Sequence, residues 1–400
     1  MPNPAPLTGI RVLEVANYMA GPFMAMQLAD LGADVVKVEI PDTGDMVRHT
    51  GPYVEGESSN FIRLNRNKRS LGLDLKDPEG KAIFRRLAAG ADVVIENLRP
   101  GTMSDLELDY ARMEPLNPML IYVSASGWGQ SGPYAELAGL DIMAQAMSGI
   151  MSITGEPGGN PVKAGVPMCD LVCGLYGALA VVAALKARDR DGRGQYIDVS
   201  LFEAGVSFSV WEAGRYFGSG EIPQPLGSAH QSSAPYQAVR AADGYFTLGA
   251  TTPRNWVAFC RVLGREEWIE DPKYVDNSAR HSQLETLIPA IEEVTRTRPM
   301  DHWISALQEA GVPCAKIQTY DRVFNDPHLL ERGYFWDAPH RTISQPVRQL
   351  GNPMHFSQTP VEQRKAGPLL GEDSRDVLTE LGYSEEEIVA LANRKVTVVA

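Results

Sequence analysis

Asp170 stands where a carboxylate can act as a nucleophile. It ends the segment Lys163-Ala-Gly-Val-Pro-Met-Cys-Asp170 and opens into the apolar run Leu171-Val-Cys-Gly-Leu-Tyr-Gly-Ala-Leu-Ala-Val-Val-Ala-Ala-Leu185. At the mouth of an apolar helix, free N–H groups and the positive helix end keep a carboxylate ionised while apolar neighbours thin its hydration. Those conditions suit covalent attack on an electrophilic carbon. The local pattern also allows a plainer role, because Asp is a preferred helix N-cap. A second carboxylate, Asp141 in Ala138-Gly-Leu-Asp141, either orients the first or caps a helix expected over Ile142–Met147.

The densest basic cluster is Arg63-Leu-Asn-Arg66-Asn-Lys68-Arg69, followed by Leu73-Asp74-Leu75-Lys76. Such a cluster can seat phosphates, or it can be a solvated face of ion pairs. Glu96-Asn97-Leu98-Arg99-Pro-Gly101 and the glycine-rich Ser124-Ala-Ser-Gly127-Trp-Gly129-Gln-Ser-Gly-Pro-Tyr134 each follow an expected strand. In an open parallel sheet, ligands bind at that carboxyl edge. Backbone N–H groups near Gly127 to Gly129 are candidates for steadying an oxyanion.

Several chemistries are disfavoured. The first strand-to-helix turn reads Asn17-Tyr-Met-Ala-Gly-Pro22, without GxGxxG, and no GxxxxGK[ST] occurs, which argues against NAD and ATP. The seven histidines and four cysteines show no zinc-ligand spacing, so no metal and no permanently bound cofactor is expected. A net charge of −13 argues against a broad nucleic-acid surface. The N-terminus lacks signal-peptide character, and Leu171–Leu185 is too short to span a bilayer. A cytoplasmic protein without a membrane segment is expected.

The elements that must position these residues alternate. Strands are expected at Ile10–Val15, Ala33–Glu39, Ala91–Glu96, Met119–Ser124 and Tyr196–Ser200, with helices at Phe23–Leu31, Glu79–Ala89 and Asp105–Met113 between them. Apolar strands separated by amphipathic helices imply a parallel sheet covered on both faces, an α/β Rossmann-like architecture. Residues 1–200 form its first part. Residues 201–225 read as a connection, entered through a helix reaching Tyr216. Residues 226–325 read as a small α+β domain, with a hairpin about Asp243-Gly244. Residues 326–400 return to complete the large domain.

In order, the quoted segments resemble the class III coenzyme A transferases, the family of formyl-CoA and carnitine CoA-transferases. The resemblance rests on Leu7–Leu13, Ala20-Gly-Pro22, Leu31–Glu39, Gly44–Arg48, Asn65–Ser70, Leu73–Lys76, Glu96-Asn97, Gly127–Pro133, Gly165–Asp170, Gly192–Gln195 and Pro368–Gly371. It implies CoA transfer from an acyl-CoA donor to a free carboxylic acid, with Asp170 as nucleophile and Asp141 as auxiliary carboxylate. It further implies coenzyme A contacts at Met19, Ala20, Leu73, Asp74, Leu75, Lys76, Asn97 and Leu98, and a homodimer of interlocked rings. The formyl-CoA branch has basic contacts that fall here on Ile40, Asp105 and Ala138, so Arg63, Arg66 and Lys68 are the substitutes expected for the phosphates. That branch's glycine lid is replaced by Leu248–Asn255, which argues against oxalate. His230–Tyr236 and Arg254 suit a dicarboxylate such as a succinyl group. The alternatives are an α-methylacyl-CoA racemase, which needs a histidine where Leu140 follows Gly139, and a non-catalytic acyl-CoA-binding protein.

Overall fold

The computed structural model describes residues 3–400, in two compact units. The larger comprises the chain up to Ile150, then Lys163–Gly214 and His328–Ala400; the smaller comprises Met151–Val162 and Arg215–Pro327.

A seven-stranded sheet organises the large unit, in the order Thr397–Val398, Arg69–Leu73, Asp34–Glu39, Arg11–Val15, Val93–Glu96, Ile121–Ser126, Tyr196–Ser200. All neighbours are parallel except the first pair. Numbered along the chain, the six parallel strands run 3-2-1-4-5-6, the doubly wound order. The order reverses between Arg11–Val15 and Val93–Glu96, where such sheets open a crevice at their carboxyl ends. Val35, Val93, Val94, Ile95, Ile121 and Val123 are buried, as a sheet covered on both faces requires.

On one face lie the helices Ala20–Asp30 and Met168–Asp191, packed closely together. Glycines permit the approach. A Cβ on Gly174 would stand 2.9 Å from Ala20 O, and one on Gly177 would stand 2.1 Å from the Met24 methyl. The second helix is longer than the apolar run suggests. Its 24 residues suffice in length and composition to cross a membrane, but half of that stretch is buried in the core. Ser200 caps a helix at Leu201–Ser207, and Val210–Ser219 forms another, so residues 201–219 are mostly helical rather than a plain connection.

In the small unit, the antiparallel strands Tyr236–Arg240, Tyr245–Gly249 and Cys314–Lys316 pack with the helices Pro253–Leu263, Leu284–Thr295 and Met300–Glu309. Arg254 is exposed in the first turn of Pro253–Leu263.

Candidate active site

A cavity of about 850 Å³ in the large unit gathers the turn Asn17–Ala20, Asn97, Ser126, Gly127, Asp141 and Asp170. Asn17 and Asn97 follow the two strands at the reversal point of the sheet, and their groups interlock. Asn97 Oδ1 accepts from Asn17 N at 2.8 Å, and Asn97 Nδ2 donates to Asn17 O at 2.7 Å. Tyr18 adopts the left-handed conformation (φ 63°), with its amide donated to Asp45 Oδ1. The turn enters the helix Ala20–Asp30 without a capping side chain. Ala20 and Gly21 have no intrahelical acceptor and Pro22 has no N–H, so the cavity wall includes a helix end with free donors.

Asp170 is the third residue of its helix rather than its cap, a position held by Pro167 without a side-chain bond. The capping is done by Asp141, whose Oδ1 accepts from Cys169 N at 2.8 Å and from Asp170 N at 3.3 Å. Asp141 Oδ2 accepts from Gln145 Nε2 at 2.5 Å, and Gln145 Oε1 accepts from Ala164 N at 2.9 Å. Asp141 begins the helix Asp141–Met147 but directs its carboxylate to the next element. The Asp170 carboxylate accepts no hydrogen bond from any described residue. Burial, reinforced by the Asp141 charge, pushes its pKa up to about 7. A desolvated carboxylate with no hydrogen bond to quench it, on a backbone held from behind, is equipped for nucleophilic attack.

The pattern of CoA-transferase family III matches residues 7–374. The chain belongs to that family. It is 41% identical to the succinate–glutarate CoA-transferase of Agrobacterium fabrum over 391 residues, 95% of this chain and 97% of that protein. It is 37% identical to mouse succinyl-CoA:glutarate CoA-transferase over 96% of this chain and 89% of that protein. Its fold matches the crystal structure of a CAIB/BAIF family protein from Brucella suis with a TM-score of 0.86 and 39% identity, covering 95% of this chain and all of the other. This CoA-transferase family member is therefore an enzyme that moves coenzyme A from an acyl-CoA to a free carboxylic acid.

The transferase brings only some of the expected contacts to the cavity. Met19, Ala20, Asn97, Asp141 and Asp170 line it. Leu73 is a core residue, Leu75 and Leu98 pack partly against the core, and Asp74 and Lys76 flank the end of the strand Arg69–Leu73; none of these five lines the cavity. Gly127 lines it, but the Gly129 amide is taken by Ser126 Oγ at 3.0 Å, which removes it as an oxyanion donor.

The expectation for Lys68 and Arg66 needs correcting. Lys68 is fully buried, its Nζ bound to Glu14 Oε2 at 2.7 Å, Pro22 O at 2.8 Å and Asn65 Oδ1 at 2.8 Å. Lys37, equally buried, binds Glu14 Oε1, Asp45 Oδ2 and Ala16 O at 2.7–2.8 Å. Burial draws the Lys68 pKa down to about 8 despite Glu14, whereas on Lys37 the Glu14 and Asp45 charges outweigh burial and raise it. Each ammonium group already spends its three N–H donors on three acceptors, which leaves no donor for a phosphate. They hold the carbonyls of Ala16 and Pro22, one on either side of the cavity turn. Arg66 meets the cavity wall but is engaged by Asp30, Nε to Oδ1 at 3.0 Å and Nη2 to Oδ2 at 2.6 Å.

Sequence reasoning did not single out Gln145 or Lys163. A glutamine four residues after Asp141 is the usable signal, since i,i+4 side chains meet on a helix. Lys163, which also lines the cavity, carries no such signal.

Proposed function

We propose that this transferase exchanges coenzyme A between dicarboxylic acids through covalent intermediates on Asp170. The observation that carries the proposal is the Asp170 carboxylate, unbonded at the wall of the cavity while Asp141 holds its amide. The succinyl and glutaryl substrates named for the relatives support the dicarboxylate class.

Asp170 attacks the thioester carbonyl of the donor, the C–S bond breaks, and a mixed anhydride forms with release of CoA thiolate. The thiolate attacks the aspartyl carbonyl, the donor acid leaves as its carboxylate, and an aspartyl-CoA thioester remains. The acceptor carboxylate then attacks that thioester, releasing thiolate and forming a second anhydride. Attack of the thiolate on its acyl carbonyl yields the new acyl-CoA and restores Asp170. No proton changes hands, so the site needs no general acid, only donors for the oxyanions. The free amides at the start of Ala20–Asp30 and near Gly127 are suited to that task. Asp74, Leu75, Lys76 and Leu98, outside the cavity, are assigned to the outer part of the coenzyme; Leu73 is buried in the core and has no surface to offer it.

The working form is proposed to be an interlocked homodimer. Leu175, Leu179 and Val182 form an exposed stripe on the Met168–Asp191 helix, and Val210–Ser219 buries no residue while exposing Val210 and Phe217. Apolar area of this kind calls for a cover. The four unpaired cysteines support a reducing, cytoplasmic setting.

The test is Asp170→Asn. Asn is nearly isosteric, so the variant is expected to fold and bind acyl-CoA while exchange falls by several orders of magnitude. Hydroxylamine added to wild type with donor is expected to leave a hydroxamate on the Asp170 peptide. Near-normal exchange by the variant, or an adduct on Asp141, would refute the assignment.

A further inference from the structure

We propose that Arg63 is the specificity residue of the cavity, pairing with the distal carboxylate of the dicarboxylyl substrate. This rests on the transferase reading above and deepens it by naming what recognises the second acid group.

Three cations line the cavity: Arg63, Arg66 and Lys163. Arg66 is neutralised by Asp30. Lys163 is exposed and donates to Ala164 O. Arg63 differs from both. It is half-buried, and its Nη1 donates to Ser59 O at 2.8 Å and Ser59 Oγ at 2.6 Å, both uncharged acceptors. Among the described residues no carboxylate lies within ion-pair reach of it, and Nε and Nη2 have no acceptor. The bonds to Ser59 therefore fix the guanidinium in place without neutralising it.

The edge left open is the one that binds carboxylates side-on. Two neighbours in this same chain use it: Arg66 grips Asp30, and Arg69 grips Asp34, each through Nε and Nη2. A carboxylate offered to Arg63 would complete the same two-bonded fork. Burial lowers the pKa of Arg63, the mark of a cation without compensating charge. An incoming anion relieves that penalty.

The apolar wall of the cavity suits a short methylene chain. Asp170 belongs to the helix whose Gly174 packs on Ala20, at the start of Ala20–Asp30. Arg63 belongs to the segment whose Arg66 grips Asp30, in the last turn of that helix. Ala20, Phe23 and Met26 line the cavity from the helix between, about 9 Å along its axis. One guanidinium without a carboxylate matches one substrate carboxylate better than the several hydrated charges of the coenzyme phosphates.

The experiment follows exchange of label between an acyl-CoA and its own free acid, with succinyl-CoA and succinate in one arm and butyryl-CoA and butyrate in the other. Free CoA binding is measured alongside. For Arg63→Gln we expect succinyl exchange to fall about 100-fold or more in kcat/KM, because a buried polar contact to substrate is lost. Butyryl exchange and the Kd for CoA should stay within about threefold. Arg63→Lys, which keeps the charge but not the fork, should recover part of the loss and guards against a variant that fails to fold. Equal loss in both arms with weaker CoA binding would assign Arg63 to the phosphates, and unchanged succinyl exchange would make it structural; either overturns the proposal. A wild-type enzyme inactive in both arms, or active with butyryl-CoA alone, would instead overturn the proposed dicarboxylate exchange on which it rests.

Discussion

Asp141 accepts the backbone amide of Asp170 at 3.3 Å, so the two carboxylates of the site are coupled through the main chain as well as through charge. One carboxylate has donors from Cys169, Asp170 and Gln145, and the other has none among the described residues. That asymmetry separates their roles. The carboxylate with the donors is fixed in place, and its charge, added to burial, makes the neighbour reluctant to lose a proton.

Replacing Asp141 by Asn should preserve the bonds from the Cys169 and Asp170 backbone amides, since the side-chain oxygen still accepts, while removing the negative charge and the bond from Gln145. The pKa seen in the pH dependence of kcat/KM, set near 7 by Asp170, should move down in Asp141→Asn. Burial, the larger cause, remains, so the pKa should stay above that of an ordinary aspartate. An unmoved profile would separate the two charges.

Stability carries a signature of the same residue. The Asp170 carboxyl titrates at about 7 in the folded protein against 3.8 for an ordinary aspartate. Well below its unfolded pKa of 3.8, at about pH 3, both forms hold the proton and the shift contributes nothing. As pH rises from 4 to 7 the unfolded chain releases its proton while the folded chain retains it, so folding becomes less favourable. Asp170→Asn lacks this penalty. Its stability should equal that of wild type near pH 3 and exceed it by on the order of 2–4 kcal/mol at pH 8 in denaturant unfolding. Glu96, also pushed up to about 7 by burial, is present in both proteins and cancels in the difference.

Lys68→Met should damage the fold rather than the Michaelis constant. Glu14 would keep Lys37 but lose one of two buried cations, at about 3–5 kcal/mol. The expected result is a large fall in Tm. A well-folded variant with a raised acyl-CoA KM would restore Lys68 to the phosphate site.

Gly174→Ala should push the Met168–Asp191 helix away from Ala20. The new methyl would meet Ala20 O at 2.9 Å and the Phe23 ring at 3.0 Å. Overpacking of this kind destabilises by about 1–3 kcal/mol. Because Ala20 lines the cavity, the acyl-CoA KM should rise along with the fall in Tm; a variant indistinguishable from wild type in both would show that the contact is loose.

Five of the seven strands were legible in the sequence because they are apolar runs, such as Val93–Glu96; Arg69–Leu73 and Thr397–Val398 were not, the first lying in a basic cluster and the second being two residues long. Asp170 was legible because it opens an apolar helix after a proline. The contrast between Arg63 and its neighbours was not. Arg63, Arg66 and Lys68 fall within six positions, yet one lacks a carboxylate and the others are held by Asp30 and Glu14, which lie 36 and 54 residues away. Charge composition records cations but not partners, and the partners arrive only when distant strands and helices pack. Asp141 shows the same limit: its place at a helix start suggests a local cap, whereas its Oδ1 accepts from residues 28 and 29 positions on.

The antiparallel strand Thr397–Val398 completes the outer side of Arg69–Leu73, with Thr397 Oγ1 donating to Gly72 O. Those partners are 325 residues apart in the chain. At a ribosome adding 5–20 residues per second, the edge of the Arg69–Leu73 strand stays open for roughly 15–65 s after it is made. During that interval an unpaired strand edge is presented to every other nascent chain nearby. The hazard of aggregation thus falls during synthesis rather than in the finished enzyme, and yield on overexpression should respond to translation rate and chaperone supply more than to changes at the cavity.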